Sequence, residues 1–191
     1  MEALLGIFSA FGLSASAGLN AYIPLLVIAL LSKYTGLITL KPPFDTLENP
    51  WIIGLLVVLV LIEFFADKIP AVNHANDVIQ TFIRPVAGAI VFAASAQILT
   101  DLHPILALGA GILVAGTVHT VKAVAVRPAV TATTAGLGNT PVSMAEDIAA
   151  TVISIFAIII PFLMAILLFI LIGIAVWWIW KRRQAVSTGK A

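Results

Sequence analysis

The chain has 191 residues, of which 61% are hydrophobic and only 10% charged, against about a quarter charged in a soluble domain. That balance excludes an ordinary water-soluble fold. A net charge of +1, with Lys and Arg spread along the chain, leaves no nucleic-acid footprint, and the absence of cysteine excludes a disulfide framework, thiolate metal sites and a cysteine nucleophile. No linker-like block divides the sequence, so residues 1–191 read as one transmembrane domain.

A bilayer crossing takes about twenty mostly apolar residues. Five segments qualify: 4–31, 51–69, 74–100, 105–123 and 145–180. The expected fold is therefore an all-α, polytopic transmembrane bundle of about five crossings. The first segment lacks a basic start and a cleavage site and reads as a retained helix. Its middle, residues 14–20 (Ser-Ala-Ser-Ala-Gly-Leu-Asn), looks interrupted, and so does the small, uncharged run 131–141. Irregular backbone at membrane depth needs protein or water to satisfy it, so broken or re-entrant segments are expected near Gly18 and Gly136. Kinks or breaks are expected at Pro85 and Pro161. Segment 145–180 is long enough to cross once or twice. Trp177, Trp178 and Trp180 before Lys181, Arg182 and Arg183 form an interfacial belt and a cationic anchor, which places the tail 181–191 in the cytoplasm with Lys33 and Lys41. Lys68, Arg84, Lys122 and Arg127 then lie toward the other side.

An internal repeat is visible. Residues 71–78 align without gaps to 141–148, sharing Val, Ala and Asp, and each stretch opens a long apolar helix. A preceding helix begins after Pro50 or Pro104 and ends near Lys68 or Lys122. The reading is two similarly oriented hairpins, 51–100 and 104–171, related by an axis along the membrane normal.

Ionisable groups at membrane depth are expensive and therefore point to function unless they pair with one another. Glu63, flanked by Leu61, Ile62, Phe64 and Phe65, has Asp67 one turn later on its own face. Proton coupling and a structural ion pair with Arg84, Lys122 or Arg127 both account for it. Along the third segment Asp77, Gln80, Thr81, Arg84, Gly88 and Ser95 form one polar, small-residue stripe, which serves a lined interior or helix–helix contact alike. Arg84 cannot lose its charge and requires an anion from the protein or a ligand. His119 lies a turn before Lys122 without a second metal-ligand residue at the right spacing, so no metal or cofactor is expected. Ser143 and Glu146 fit a capping box, and Asn73 an N-cap. Helix N-termini meeting at one vestibule would hold an anionic group.

The motifs Gly18-Leu19-Asn20-Ala21-Tyr22-Ile23-Pro24, Glu63 with Ala66-Asp67-Lys68-Ile69-Pro70, Asp77 with Arg84-Pro85, His119 with Lys122, and Ser143 with Glu146-Asp147 resemble the family catalogued as domain of unknown function 4126. The resemblance spans nearly the whole chain and implies a small multi-pass protein of the bacterial inner membrane with no known activity. Asn73 stands where this family's pattern implies an aspartate.

The leading functional reading is a transporter or permeation protein for a small polar or anionic solute or a lipid head group. Its binding or translocation candidates are Asn20, Glu63, Asp67, Lys68, Asp77, Arg84, His119, Lys122, Arg127, Asn139, Ser143, Glu146 and Asp147. The alternatives are a membrane enzyme or flippase acting on a lipid, with Glu63, His119 and Asp147 as acid–base groups in the enzyme case, and a non-catalytic scaffold. The lipid bilayer is the expected partner, nucleic acid is not, and self-association is left open.

Overall fold

The structure, a computed structural model, describes residues 2–68, 70–99 and 102–161, together with residues 163, 166, 169, 170, 172–174, 176–178, 180 and 181. Side chains are described for the same residues except 2–4, 70–75, 77 and 97–99. Helices α1 (Glu2–Leu19), α2 (Tyr22–Thr35), α3 (Pro50–Ala66), α4 (Pro70–Leu99), α5 (Pro104–Val121), α6 (Arg127–Thr134) and α7 (Asn139–Ile159) follow one another, with a 3-10 turn at Phe44–Glu48 and a π-helical turn at Lys122–Val126. Among the described residues there are no strands. Val78–Ala96, Pro104–Thr134 and Asn139–Ile159 are long and apolar enough to cross a membrane, and Leu5–Leu19, Tyr22–Thr35 and Pro50–Ala66 are shorter apolar helices.

Prolines set several of these boundaries. A ring at Pro24 would strike the carbonyl of residue 20 if α1 continued through it. The chain breaks there instead, and the Asn20 side-chain oxygen accepts from the amides of Tyr22 and Ile23, both at 3.1 Å, capping α2. Asn49 and His103 cap α3 and α5 in the same manner, each followed by proline at the first helical position. Ile160, before Pro161, leaves helical dihedrals (φ −134°, ψ 66°) and ends α7, as steric pressure from a following proline favours. Pro85, by contrast, sits inside an unbroken α4.

The first apolar stretch is thus two legs, not the single crossing expected for residues 4–31. The α1 end meets α5 and α7 through Leu19 and Asn20. The α2 end lies beside the start of α3, where Ser32 Oγ donates to Glu48 Oε1 (2.5 Å) and Lys33 Nζ to the Glu48 carbonyl (2.7 Å). Because α3 climbs back to place Glu63 on Arg84 and Asp67 on Asn76, α2 runs antiparallel to both α1 and α3. Helices α1, α3 and α5 end at one face of the bundle, and α4 and α7 begin there.

α1 is central, packed against α4, α5 and α7. Small residues permit this. Ala107, Gly111, Ala115 and His119 form a buried stripe on α5 at four-residue intervals, and Ser14 Oγ donates to the Gly111 carbonyl at 2.9 Å. Ser16 Oγ donates to the Ala150 carbonyl and meets Ser154 Oγ, each at 2.7 Å. Such small-residue seams bring helix backbones close where lipid supplies no hydrophobic drive between helices. Outward faces are apolar, with Trp51 87%, Phe82 74% and Leu113 71% exposed. Exposure on this scale suits contact with acyl chains. α4 packs chiefly on α5 and α1, while α3 leans on α2, so α3 and α4 are not each other's main neighbours.

A methyl group at Gly111 would lie 2.6 Å from the Ala89 Cα and closer still to the Gly88 carbonyl oxygen, whereas one at Gly109 meets nothing within 4 Å. Gly111→Ala should therefore cost about 1–3 kcal/mol of stability by overpacking, read as a fall in Tm in detergent. Gly109→Ala should leave Tm unchanged or slightly raised, and equal effects of the two would show that the seam is not close-packed.

Candidate functional site

Ten of the thirteen sequence candidates meet at the end of the bundle where α1, α3 and α5 terminate. Arg84 is fully buried, and its Nη2 donates to Glu63 Oε1 at 2.8 Å. Its Nη1 lies 3.0 Å from His119 Nδ1, and His119 Nε2 lies 3.1 Å from Thr81 Oγ1. Arginine only donates, so His119 Nδ1 must be an acceptor and the ring a neutral imidazole protonated at Nε2. The anion Arg84 requires is thus Glu63. Three atoms of this hub, Glu63 Oε2, Gln80 Oε1 and Arg84 Nε, are buried and have no hydrogen-bond partner among the described residues. Tyr22, from the start of α2, approaches the Gln80 side chain.

A second network sits one turn further toward the end of the bundle. Lys122 Nζ reaches Glu146 Oε2 at 2.9 Å and the Leu19 carbonyl at 3.0 Å. Arg127 Nη2 reaches the same Glu146 oxygen at 2.8 Å and Asp67 Oδ2 at 3.3 Å. Asp67, the C-cap of α3, also accepts from Ser143 Oγ (2.6 Å) and Asn76 Nδ2 (2.9 Å). The π-helical turn makes this convergence possible. Five residues of regular α-helix turn a side chain through about 500°, leaving it about 140° from where it began. Widening the turn to i→i+5 bonding narrows that separation, so Lys122 and Arg127 both face Glu146. Such bulges recur at functional sites.

Asp147 stands apart. Its Oδ1 accepts from Asn20 Nδ2 at 2.9 Å, while Oδ2 is shielded from solvent and has no partner among the described residues. Glu63 and His119 therefore meet through Arg84, and Asp147 meets the α1–α2 break, so the three groups of the enzyme reading are not joined directly. Ser143 and Glu146 do not form a capping box, because α7 already begins at Asn139 and Ser143 uses its hydroxyl on Asp67. Asn73 lies inside α4, which starts at Pro70, and so is not its cap. The side chains of Asp77 and Asn73 lie outside the described residues, as does the tail from Arg182.

Beyond Asp67 opens a cavity of about 350 Å³ lined by Asp67, Lys68, Thr131, Ala135, Gly136, Leu137, Asn139 and Thr140. Its floor is the turn between α6 and α7, where Ala135 and Gly136 adopt left-handed backbone (φ 51° and 87°). Most of 131–141 is thus helical, and the irregular part is this short turn. Asn139 pairs with Thr131 (3.0 and 3.2 Å). Lys68 donates to the Phe64 carbonyl (2.8 Å) and, among the described residues, has no carboxylate within ion-pair distance. Sequence reasoning missed Asn76 and Tyr22 as members of the site. Asn76 carries a signal, an amide beside the Asp77 of the repeated motif, whereas Tyr22 stands within the Gly-Leu-Asn-Ala-Tyr stretch.

An all-helical protein of membrane type, with charge networks buried between apolar helices, is the class these features define. The chain belongs to the family described as Domain of unknown function (DUF4126), which it matches over residues 7–181. No curated protein and no solved structure matches it.

Arg84→Ala would strand Glu63 and should cost about 3–5 kcal/mol, the usual penalty for removing one partner of a buried pair. Adding Glu63→Gln should recover much of that loss in a double-mutant cycle on unfolding in detergent. Strictly additive effects would show that the two side chains are uncoupled.

Proposed function

We propose that the protein is a multi-pass membrane transport or permeation protein for a small anionic solute or an anionic lipid head group, with its entrance at the Lys68 cavity. The observation that carries this reading is the cavity's cationic lip. Among the described residues Lys68 has no carboxylate partner, α7 begins at Asn139 on the cavity wall, and α4 begins at Pro70, two residues beyond Lys68. Free amides and the positive ends of helix dipoles attract anions, and Thr131 and Thr140 add hydroxyls. Beneath the cavity, Asp67 leads into the Arg127–Glu146–Lys122 network. The unpartnered atoms at Arg84, Glu63 and Gln80 leave further polar capacity in the interior. Asn20, Asp67, Arg127, Asn139, Ser143, Glu146 and Asp147 are then positioning residues around the path, and Arg84 with Glu63 and His119 closes it.

On this reading the pairs α3–α4 and α5–α7 are the two copies of the internal repeat. Support comes from the aligned helix starts and from the common direction in which both pairs run. The end of the bundle carrying Lys33 and Lys41 is cytoplasmic, together with the basic tail. Cysteine placed at Gly189 should react with an impermeant maleimide only after the cells are opened. Labelling on intact cells would reverse the orientation.

The anion site is tested with two probes, inorganic phosphate and glycerol 3-phosphate, by calorimetry on the detergent-purified chain and by uptake into liposomes. Lys68→Gln should weaken either probe about tenfold or more, since a charged hydrogen bond contributes about 1.5–3 kcal/mol. Equal binding and uptake by wild type and variant would remove the anion from this cavity.

A further inference from the structure

Among the described side chains of the buried cluster, the ion pairs leave one carboxylate without a cation. Arg84, Lys122 and Arg127 supply three cations, and His119 is neutral because its Nδ1 accepts from Arg84. Glu63, Asp67, Glu146 and Asp147 supply four carboxylates. Glu63 is paired with Arg84, Asp67 with Arg127, and Glu146 with both Lys122 and Arg127. Asp147 is left with a neutral amide, that of Asn20, on Oδ1 and, among the described residues, with nothing on the shielded Oδ2. An unpaired charge in such surroundings is resolved most simply by a proton.

We propose that Asp147 is a proton-binding site at the α1–α2 break, and that proton and solute anion bind cooperatively. Asn20 from the break is bonded to it, and the charges that act on it are those of Asp67 and Lys68 at the end of α3 and of Lys122 in the π-helical turn. Lys68 and Lys122 act on it only from beyond ion-pair distance. Lys68 is also the cation of the cavity lip, so an anion seated there cancels the positive potential that favours ionised Asp147. Anion binding therefore draws a proton onto Oδ2, and by linkage the bound proton strengthens anion binding by the same factor. The proton comes from water when the anion binds and returns to water when Asp147 ionises again. Asn20 relays the event, because the amide that donates to Asp147 belongs to the side chain whose oxygen caps α2.

The proton site stands on the unpaired, shielded Asp147 carboxylate, whereas its coupling rests on the transport reading, and the two are separable by measurement. Infrared difference spectra of the purified full-length protein, titrated from acid to alkaline pH, should contain a protonated-carboxyl band that Asp147→Asn removes and Glu63→Gln retains. A band that survives Asp147→Asn, or that Glu63→Gln removes instead, overturns the assignment, as does the absence of any titrating band. If Asp147→Asn does not fold, Asn20→Ala serves in its place. Loss of the hydrogen bond to the carboxylate should move the band's midpoint, and an unmoved midpoint overturns the proposal. Added phosphate should shift the midpoint in wild type and not in Lys68→Gln. A titrating Asp147 band indifferent to phosphate would retain the proton site and overturn the coupling.

Discussion

An arginine that cannot shed its charge, enclosed at 0% exposure between apolar helices, is the constraint around which the bundle is arranged. Arg84 fixes Glu63 opposite it, and Glu63 in turn fixes how far α3 must climb before it ends. The same guanidinium decides the tautomer of His119 and ties α5 to α4. Replacing such a pair with apolar residues is often neutral or favourable to stability, so stability alone does not account for its presence here.

Much of the architecture was legible because prolines and asparagines act through local sterics. Asn49-Pro50 and His103-Pro104 announce helix starts, Pro161 announces a stop, and Pro24 dictates that α1 end near Asn20. What local sterics do not determine is direction after a break. Residues 4–31 are apolar throughout and long enough for one tilted crossing, and only the contacts of Ser32 and Lys33 with Glu48 reveal that the chain turns back. A similar limit applies to Ser143 and Glu146. Their spacing is that of a capping box, but α7 begins a turn earlier than the motif implies, which frees both side chains for tertiary partners.

The candidate site was legible residue by residue but not as a pairing scheme. Composition marked Glu63, Asp67, Arg84, Lys122, Arg127, Glu146 and Asp147 as anomalous at membrane depth, and they do gather at one end. Which cation meets which carboxylate depends on the π-helical turn, whose sequence Lys122–Val126 has no proline, glycine or polar run to betray it. A regular helix through that turn would point Lys122 and Arg127 to different neighbours. The convergence on Glu146 is therefore a tertiary outcome, in which two buried cations competing for one carboxylate favour the wider turn.

The two halves of the bundle divide the physical tasks between them. Away from the charges, Gly88, Gly111, Ala115 and Ser14 bring α1, α4 and α5 into backbone contact, a seam with no room for an added methyl group at Gly88 or Gly111. Toward the other end, hydroxyls, amides and ions replace that contact, and the helices are held by directional bonds that can be exchanged for others. Arg84 and Glu63 lie at the boundary. On the transport reading a solute admitted past Lys68 meets exchangeable polar partners as far as this pair and a close-packed seam beyond it. Any passage must then loosen the seam, and the part of the bundle best placed to do so is the α1–α2 break. There a single side chain, Asn20, joins the charged half to the start of a helix that runs back along the packed one.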